Sequence, residues 1–182
     1  MAKKRKIDFV LEENDLWKTV FRFYPRRSSC HSFGDEPPKS WKDVYKVYYN
    51  YRVIRVYKDD NSYEVLYDSH CDECSIIDDI GHRCLLLADG YETFEREDGE
   101  RIPLLNEKII PFGMGADWTI TKRICTTHNW DEDDEVAIYY TFMLFNWNNI
   151  GFRFTLTSDK IKAFGEYLLE CCEYMLEHGD PI

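Results

Sequence analysis

The sequence predicts an α+β fold: an antiparallel β-sheet of hairpins and a meander, covered by a long C-terminal α-helix. Three observations lead there. Runs of β-favouring residues alternate with a period of two along most of the chain. Asx and glycine turn signals separate those runs. From residue 158 onward the hydrophobic period changes to that of a helix. Of 182 residues, 44% are hydrophobic and 16% aromatic, which excludes a disordered chain and supplies enough apolar material for a core. One domain, residues 1–182, is expected. The segment 25–43 is the place where it could divide, since it holds three of the six prolines and prevents a regular element over most of its length.

From Asp15 to Tyr24, one parity carries Trp17, Thr19, Phe21 and Phe23 and the other Lys18 and Arg22, which predicts a strand. A hairpin is expected next. Val44 to Tyr57 aligns Tyr45, Val47, Tyr49, Tyr51 and Val53 on one face, Asp59-Asp60-Asn61 turns, and Tyr63 to Tyr67 returns. Arg83 to Ala88 and Tyr91 to Glu95 flank Asp89-Gly90, which reads as a tight hairpin turn, with the next reversal at Asp98-Gly99. Trp118 to Thr126 is a further alternating run. Val136 to Trp147 is almost continuously apolar and, with Asn148-Asn149 and Ile150 to Leu156, reads as a central hairpin buried on both faces. Finally, Ile161, Phe164, Leu168, Leu169, Cys172, Met175 and Leu176 form one helical stripe. Thr157 or Ser158 caps it, and Gly179 with Pro181 ends it.

Charge narrows the function classes. The net charge is −11, from 23 Lys+Arg and 34 Asp+Glu, which argues against wrapping duplex nucleic acid through its phosphates and favours a basic partner. The distribution is lopsided: residues 1–58 carry 14 basic and 7 acidic groups, and the other 124 carry 9 and 27. Charged side chains commonly do no more than solvate exposed faces, but an acidic surplus of this size costs self-repulsion that partner recognition would justify. No segment approaches the roughly 18 uninterrupted apolar residues of a membrane span, and Met1-Ala2-Lys3-Lys4-Arg5-Lys6 is not followed by an apolar signal core. A cytoplasmic protein with no membrane contact and reduced thiols among its seven cysteines is expected.

Several constellations could carry chemistry. Cys71-x2-Cys74 and His82-x-Cys84 supply four ligands for a tetrahedral zinc, although the second pair is cramped and the spacing short for a zinc ribbon. The alternative is that Cys84 is a small core hydrophobe. Glu95, Glu97, Asp98 and Glu100, Asp117 near Lys122, and Asp131 to Glu135 could hold divalent ions for phosphodiester chemistry. Cys30-His31 and Cys125 with His128 are poor nucleophile pairs, because neighbours in sequence seldom reach one reacting atom. Gly113-Met114-Gly115 lacks the residues of a phosphate-cradling loop. Lys3, Lys4, Arg5, Lys6, Arg26 and Arg27 could make local phosphate contacts. The acidic counterpart is Asp131, Glu132, Asp133, Asp134 and Glu135, preceded by Trp130 and joined by Glu95, Glu97, Asp98 and Glu100 with nearby aromatics. Carboxylates with aromatic neighbours suit a cationic groove built for a phosphate backbone.

In size, net charge, the Asp131 to Glu135 run and the ending FRFTLTSDKIKAFGEYLLECCEYMLEHGDPI (residues 152–182), the chain resembles anti-CRISPR proteins, the small acidic inhibitors of Cas9 encoded by phages and mobile elements. The likeness is one of type and spans the whole chain without a diagnostic motif; because those inhibitors share no common fold, it supplies no architecture and no active residues. It implies a non-enzymatic protein without cofactor that binds Cas9 or its guide-RNA complex and blocks target DNA binding or cleavage. The basic first third leaves room for direct contact with nucleic acid. The rival expectations are a metal-dependent nuclease acting on nucleic acid such as guide RNA, and an accessory domain stabilised by zinc.

Overall fold

The structure, a computed structural model, describes residues 8–26, 48–69, 72–109, 117–127, 135–146, 148 and 150–178. The elements run β1 (Asp8–Glu13), β2 (Trp17–Arg26), β3 (Tyr48–Tyr57), β4 (Tyr63–Asp68), β5 (Asp72–Glu73), α1 (Cys74–Ala88), β6 (Thr93–Glu95), β7 (Arg101–Pro103), β8 (Asp117–Thr127), β9 (Glu135–Phe145), β10 (Gly151–Thr157) and α2 (Ser158–His178). Among the described residues every strand pairing is antiparallel, so the class is α+β as expected.

The strands do not make one sheet. β1-β2-β3-β4, with β5 beside β3, forms one; β10-β9-β8 forms a second; β6 and β7 form a separate hairpin. In the first sheet two strand pairs, β1–β2 and β3–β4, are joined by short local turns. Asn14 Oδ1 accepts the N–H groups of Leu16 and Trp17 at 2.9 Å each, an Asx turn that reverses β1 into β2. Asn61 at φ 57° closes β3–β4 where Asp59-Asp60-Asn61 predicts a turn. Residues 44–47 of the expected first strand of that hairpin lie outside the described residues.

The segment Arg83 to Ala88 is helical, not a strand of a hairpin. Ile77, Ile80, Cys84 and Leu87 are buried at i, i+3, i+7 and i+10, the stripe of an amphipathic helix. Asp89-Gly90 ends that helix. Gly90, at φ 88°, donates its N–H to Leu87 O at 3.1 Å, and Tyr91 N–H bonds Leu86 O at 2.9 Å. This pair of bonds is a Schellman cap, which needs a left-handed residue just as a type I′ turn does. Asp98-Gly99 does turn a hairpin, β6–β7, with Gly99 at φ 84°.

β9 is the middle strand of the second sheet, but only one of its faces is deeply buried. Tyr140, Phe142 and Leu144 point into the core, whereas Tyr139, Thr141 and Met143 are only half-buried. Its turn into β10 is held by Asn146, a buried side chain whose Oδ1 accepts the N–H groups of Asn148 and Ile150 at 3.0 Å each. Its amide donates to Asp68 O at 3.1 Å, which ties this turn to the end of β4.

The core lies where both sheets and the helices meet. Phe164 on α2 stands 5.0 Å from Phe9 and 5.4 Å from Phe21 of the first sheet, and 5.5 Å from Phe142 and 5.6 Å from Phe154 of the second (ring centroids). Trp118 packs against Tyr51 at 5.4 Å and donates its Nε1–H to Tyr51 Oη at 2.6 Å. Tyr140 Oη donates to Leu87 O and Tyr167 Oη to Phe21 O. Each of these aromatic groups thus buries its ring while its polar end finds a partner. The two helices cross at Gly81 and Gly165. A Cβ at Gly165 would stand 2.8 Å from the Gly81 carbonyl oxygen, so neither position has room for a side chain without movement.

Candidate functional site

Hairpin β6–β7 is the most exposed outgrowth of the described chain. Every residue from Tyr91 to Arg101 faces solvent, including Tyr91 at 58% and Phe94 at 46% exposure. The expected acidic residues Glu95, Glu97, Asp98 and Glu100 sit around its tip. Two are paired within the hairpin: Glu95 to Arg101 at 3.5 Å across the strands, and Glu100 to Arg96 at 3.3 Å. Asp98 Oδ1 accepts the Glu100 N–H at 3.0 Å and shapes the turn. Glu97 makes no ion pair among the described residues. These pairs are open to water and screened, so they reduce the local charge without organising a rigid site.

The base of the hairpin is fixed to the second sheet. Lys122 Nζ meets Glu92 Oε1 at 2.7 Å, and that hydrogen bond holds the ammonium pKa above its ordinary value. Leu104 N–H bonds Glu92 O, Arg83 Nη1 donates to Pro103 O, and Asn106 N–H bonds Ile120 O. The hairpin therefore projects from β8 and from the C-terminal end of α1.

Beyond β10, strands β8 and β9 continue as a two-stranded ribbon. β10 pairs with β9 only from Tyr139 to Phe145, whereas β8 and β9 remain paired to Thr127 and Glu135. Ile124 (58% exposed) and Val136 (62% exposed) share a face of this ribbon with half-buried Ile138. Glu135 is exposed at its end. Trp130, Asp131, Glu132, Asp133 and Asp134 lie outside the described residues. The described ones among the expected carboxylates thus lie on the hairpin (Glu95, Glu97, Asp98, Glu100) and at the end of the ribbon (Glu135), and no described contact joins the hairpin tip to Glu135.

The basic groups of the first third are partly spent inside the fold. Arg22 pairs with Asp8 and Arg52 with Asp68, both at 2.6 Å, Lys58 meets Glu13 at 2.7 Å, and Arg55 approaches Glu64 at 3.8 Å. The Lys58 hydrogen bond lowers the Glu13 pKa. Arg55 also lies over the Trp17 ring at 4.6 Å. Lys3, Lys4, Arg5, Lys6 and Arg27 lie outside the described residues, as does the side chain of Arg26, whose backbone ends β2.

The zinc ligands proposed from the sequence are not brought together where they are described. Cys84 is fully buried in the core, and burial pushes its thiol pKa well up. His82, two residues earlier on the same helix, faces solvent beside Asp78 at 3.5 Å. Positions i and i+2 of a helix point about 200° apart, so this pair cannot close on one ion. Cys71 and the Cys74 side chain lie outside the description. Among the described residues, no group of three or more His, Cys, Asp or Glu is placed to hold a metal ion, and no helix is long and apolar enough to cross a membrane.

Sequence reasoning missed two features of this region: the exposed apolar row on the β8–β9 ribbon, and the ion pair that anchors the hairpin. The first had a signal in the sequence, because the apolar run Val136 to Trp147 is five residues longer than the returning run Ile150 to Leu156. Nothing in the sequence signals the second. No family model, curated protein or solved structure matches the chain.

Proposed function

We propose that the protein is a non-enzymatic inhibitor that docks through acidic outgrowths on a basic, nucleic-acid-handling protein, with guide-loaded Cas9 as the partner that the resemblance implies. The observation that carries this reading is hairpin β6–β7, which presents Glu95, Glu97, Asp98 and Glu100 together with exposed Tyr91 and Phe94. Carboxylates steer approach to a cationic cleft, and the two rings supply contact area that can be desolvated on docking. Effectors of the Cas9 type hold nucleic acid in positively charged channels, so a carboxylate finger competes for the same groups. In the sequence, four further carboxylates stand at 131–134, between β8 and β9.

The test is association kinetics with guide-loaded Cas9 across a salt series. The wild-type on-rate should fall as ionic strength rises. The variant Glu95→Gln, Glu97→Gln, Asp98→Asn and Glu100→Gln should associate about tenfold more slowly at low salt while keeping the wild-type circular dichroism spectrum. An unchanged on-rate removes the hairpin from the interface. Guide RNA incubated with the protein should stay full length with or without a chelator. Shortening that a chelator abolishes would replace this reading with the nuclease one.

A further inference from the structure

The backbone of β8 carries a second interaction surface. Trp118 N–H and C=O both bond Ile109, and Ile120 C=O accepts the Asn106 N–H, so these even-numbered residues point their main-chain groups away from β9. The β8–β9 register runs without a bulge from Asp117↔Phe145 to Thr127↔Glu135. Parity therefore turns the N–H and C=O groups of Lys122, Ile124 and Thr126 outward as well. None of these has a backbone partner among the described residues, and Arg123, Ile124 and Thr126 are exposed. The edge contains no proline. A free edge of this kind is a template for another strand.

We propose that this edge pairs with the same edge of a second copy, antiparallel about a twofold axis at Ile124, making one continuous six-stranded sheet. The choice of occupant rests on self-complementarity. With the axis at Ile124, the isoleucines of the two copies face each other, and Lys122, whose charge Glu92 already holds, faces Thr126 of the second copy. Arg123 then lies opposite Cys125, and no like charges are directly opposed. Moving the axis to Lys122 or Arg123 sets two cations face to face. Moving it to Cys125 leaves Lys122 without an opposite within the strand. The Ile124 register forms about six main-chain hydrogen bonds, and the twofold makes the interface isologous. Its small area makes the dimer weak and dependent on concentration. Each copy carries −11, so added salt should strengthen the association, the reverse of its expected effect on a basic partner. The inference is independent of the inhibitor reading.

Arg123→Cys provides the test. Opposed residues 123 and 125 form a non-hydrogen-bonded pair with Cα atoms about 4.5 Å apart, within the range a disulfide spans. Diamide takes up the two electrons and two protons released as each pair of thiols joins. The oxidised variant should then run as a covalent dimer, and Arg123→Cys with Cys125→Ser should not. Wild-type protein in sedimentation equilibrium should show a dimer favoured by salt, and Ile124→Lys, folded by circular dichroism, should be monomeric. A wild-type monomer at every concentration, or a dimer in which Arg123→Cys fails to cross-link, overturns the proposal.

Discussion

Replacing Phe164 with alanine should destabilise the protein by about 3–5 kcal/mol, a large share of the 5–15 kcal/mol that holds a typical domain together. The size of the effect comes from where the ring sits. It contacts Phe9 and Phe21 on one sheet and Phe142 and Phe154 on the other, all at 5.0–5.6 Å, and is fully buried. Four rings belonging to four different strands would have to move together to fill the void, and two of them, Phe142 and Phe154, are already stacked on each other at 4.8 Å. Collapse is therefore poor, and the cavity contribution remains almost complete. Thermal unfolding should show the midpoint lowered by roughly 6–20 °C. Phe164→Leu, which retains most of the volume, should lose no more than about half as much. Equal losses for the two variants would mean that the ring does not join the sheets.

The second large effect is expected at the helix crossing. A β-carbon on Gly165 would meet the Gly81 carbonyl oxygen at 2.8 Å and Cys84 Cβ at 2.9 Å. Neither is the free end of a flexible side chain, so no rotamer change relieves the overlap, and the helices must separate. Alanine gains about 1 kcal/mol of helix propensity over glycine, while forced separation costs about 1–3 kcal/mol. Gly165→Ala should thus lose about 1 kcal/mol, and Gly165→Val, which adds bulk and a β-branch, about 3 kcal/mol. Denaturant titration should give the order glycine, alanine, valine in falling midpoint at a constant slope. An alanine variant more stable than wild type would show that the helices are not in contact there.

The parts of the fold that were legible in the sequence are those where one local pattern had one reading. Phe21 and Phe23 alternate with Arg22, and Ile161, Phe164, Leu168 and Cys172 repeat at helical spacing; the corresponding elements are β2 and α2. Helix α1 was hidden because its last residues, Arg83 to Ala88, are short and apolar, and because glycine at φ 88° serves a helix cap and a hairpin turn equally well. Its own stripe, from Ile77 through Ile80 and Cys84 to Leu87, was present, but the turn read at Asp89-Gly90 drew its last residues into a hairpin strand. β9 misled in a different way. An apolar run reads as buried on both faces, but Tyr139, Thr141 and Met143 are residues that a half-open face accepts. The two sheets meet through side chains far apart in the sequence, such as Tyr51 and Trp118, which no local window contains together.

The candidate surface follows the same rule. Exposure of Glu95, Glu97, Asp98 and Glu100 follows from their charge and the Asp98-Gly99 turn. The partners that partly neutralise them, Arg96 and Arg101, were adjacent in the sequence, but their pairing depends on hairpin register. The internal use of Arg22, Arg52 and Lys58 depends on β1–β2 and β3–β4 pairing and on which strand ends meet. For that reason the positive charge of the first third overstated what is available to an outside anion.

The bonds from Tyr167 to Phe21 and from Lys160 to Leu11 join residues 146 and 149 positions apart. During synthesis the first sheet therefore leaves the ribosome long before α2 exists to close over Phe9 and Phe21. At about 5–20 residues per second, these apolar side chains wait for about 7–30 s without their final neighbours. Contacts this distant along the chain slow folding, and a nascent chain stalled before Phe164 would be a natural substrate for chaperones.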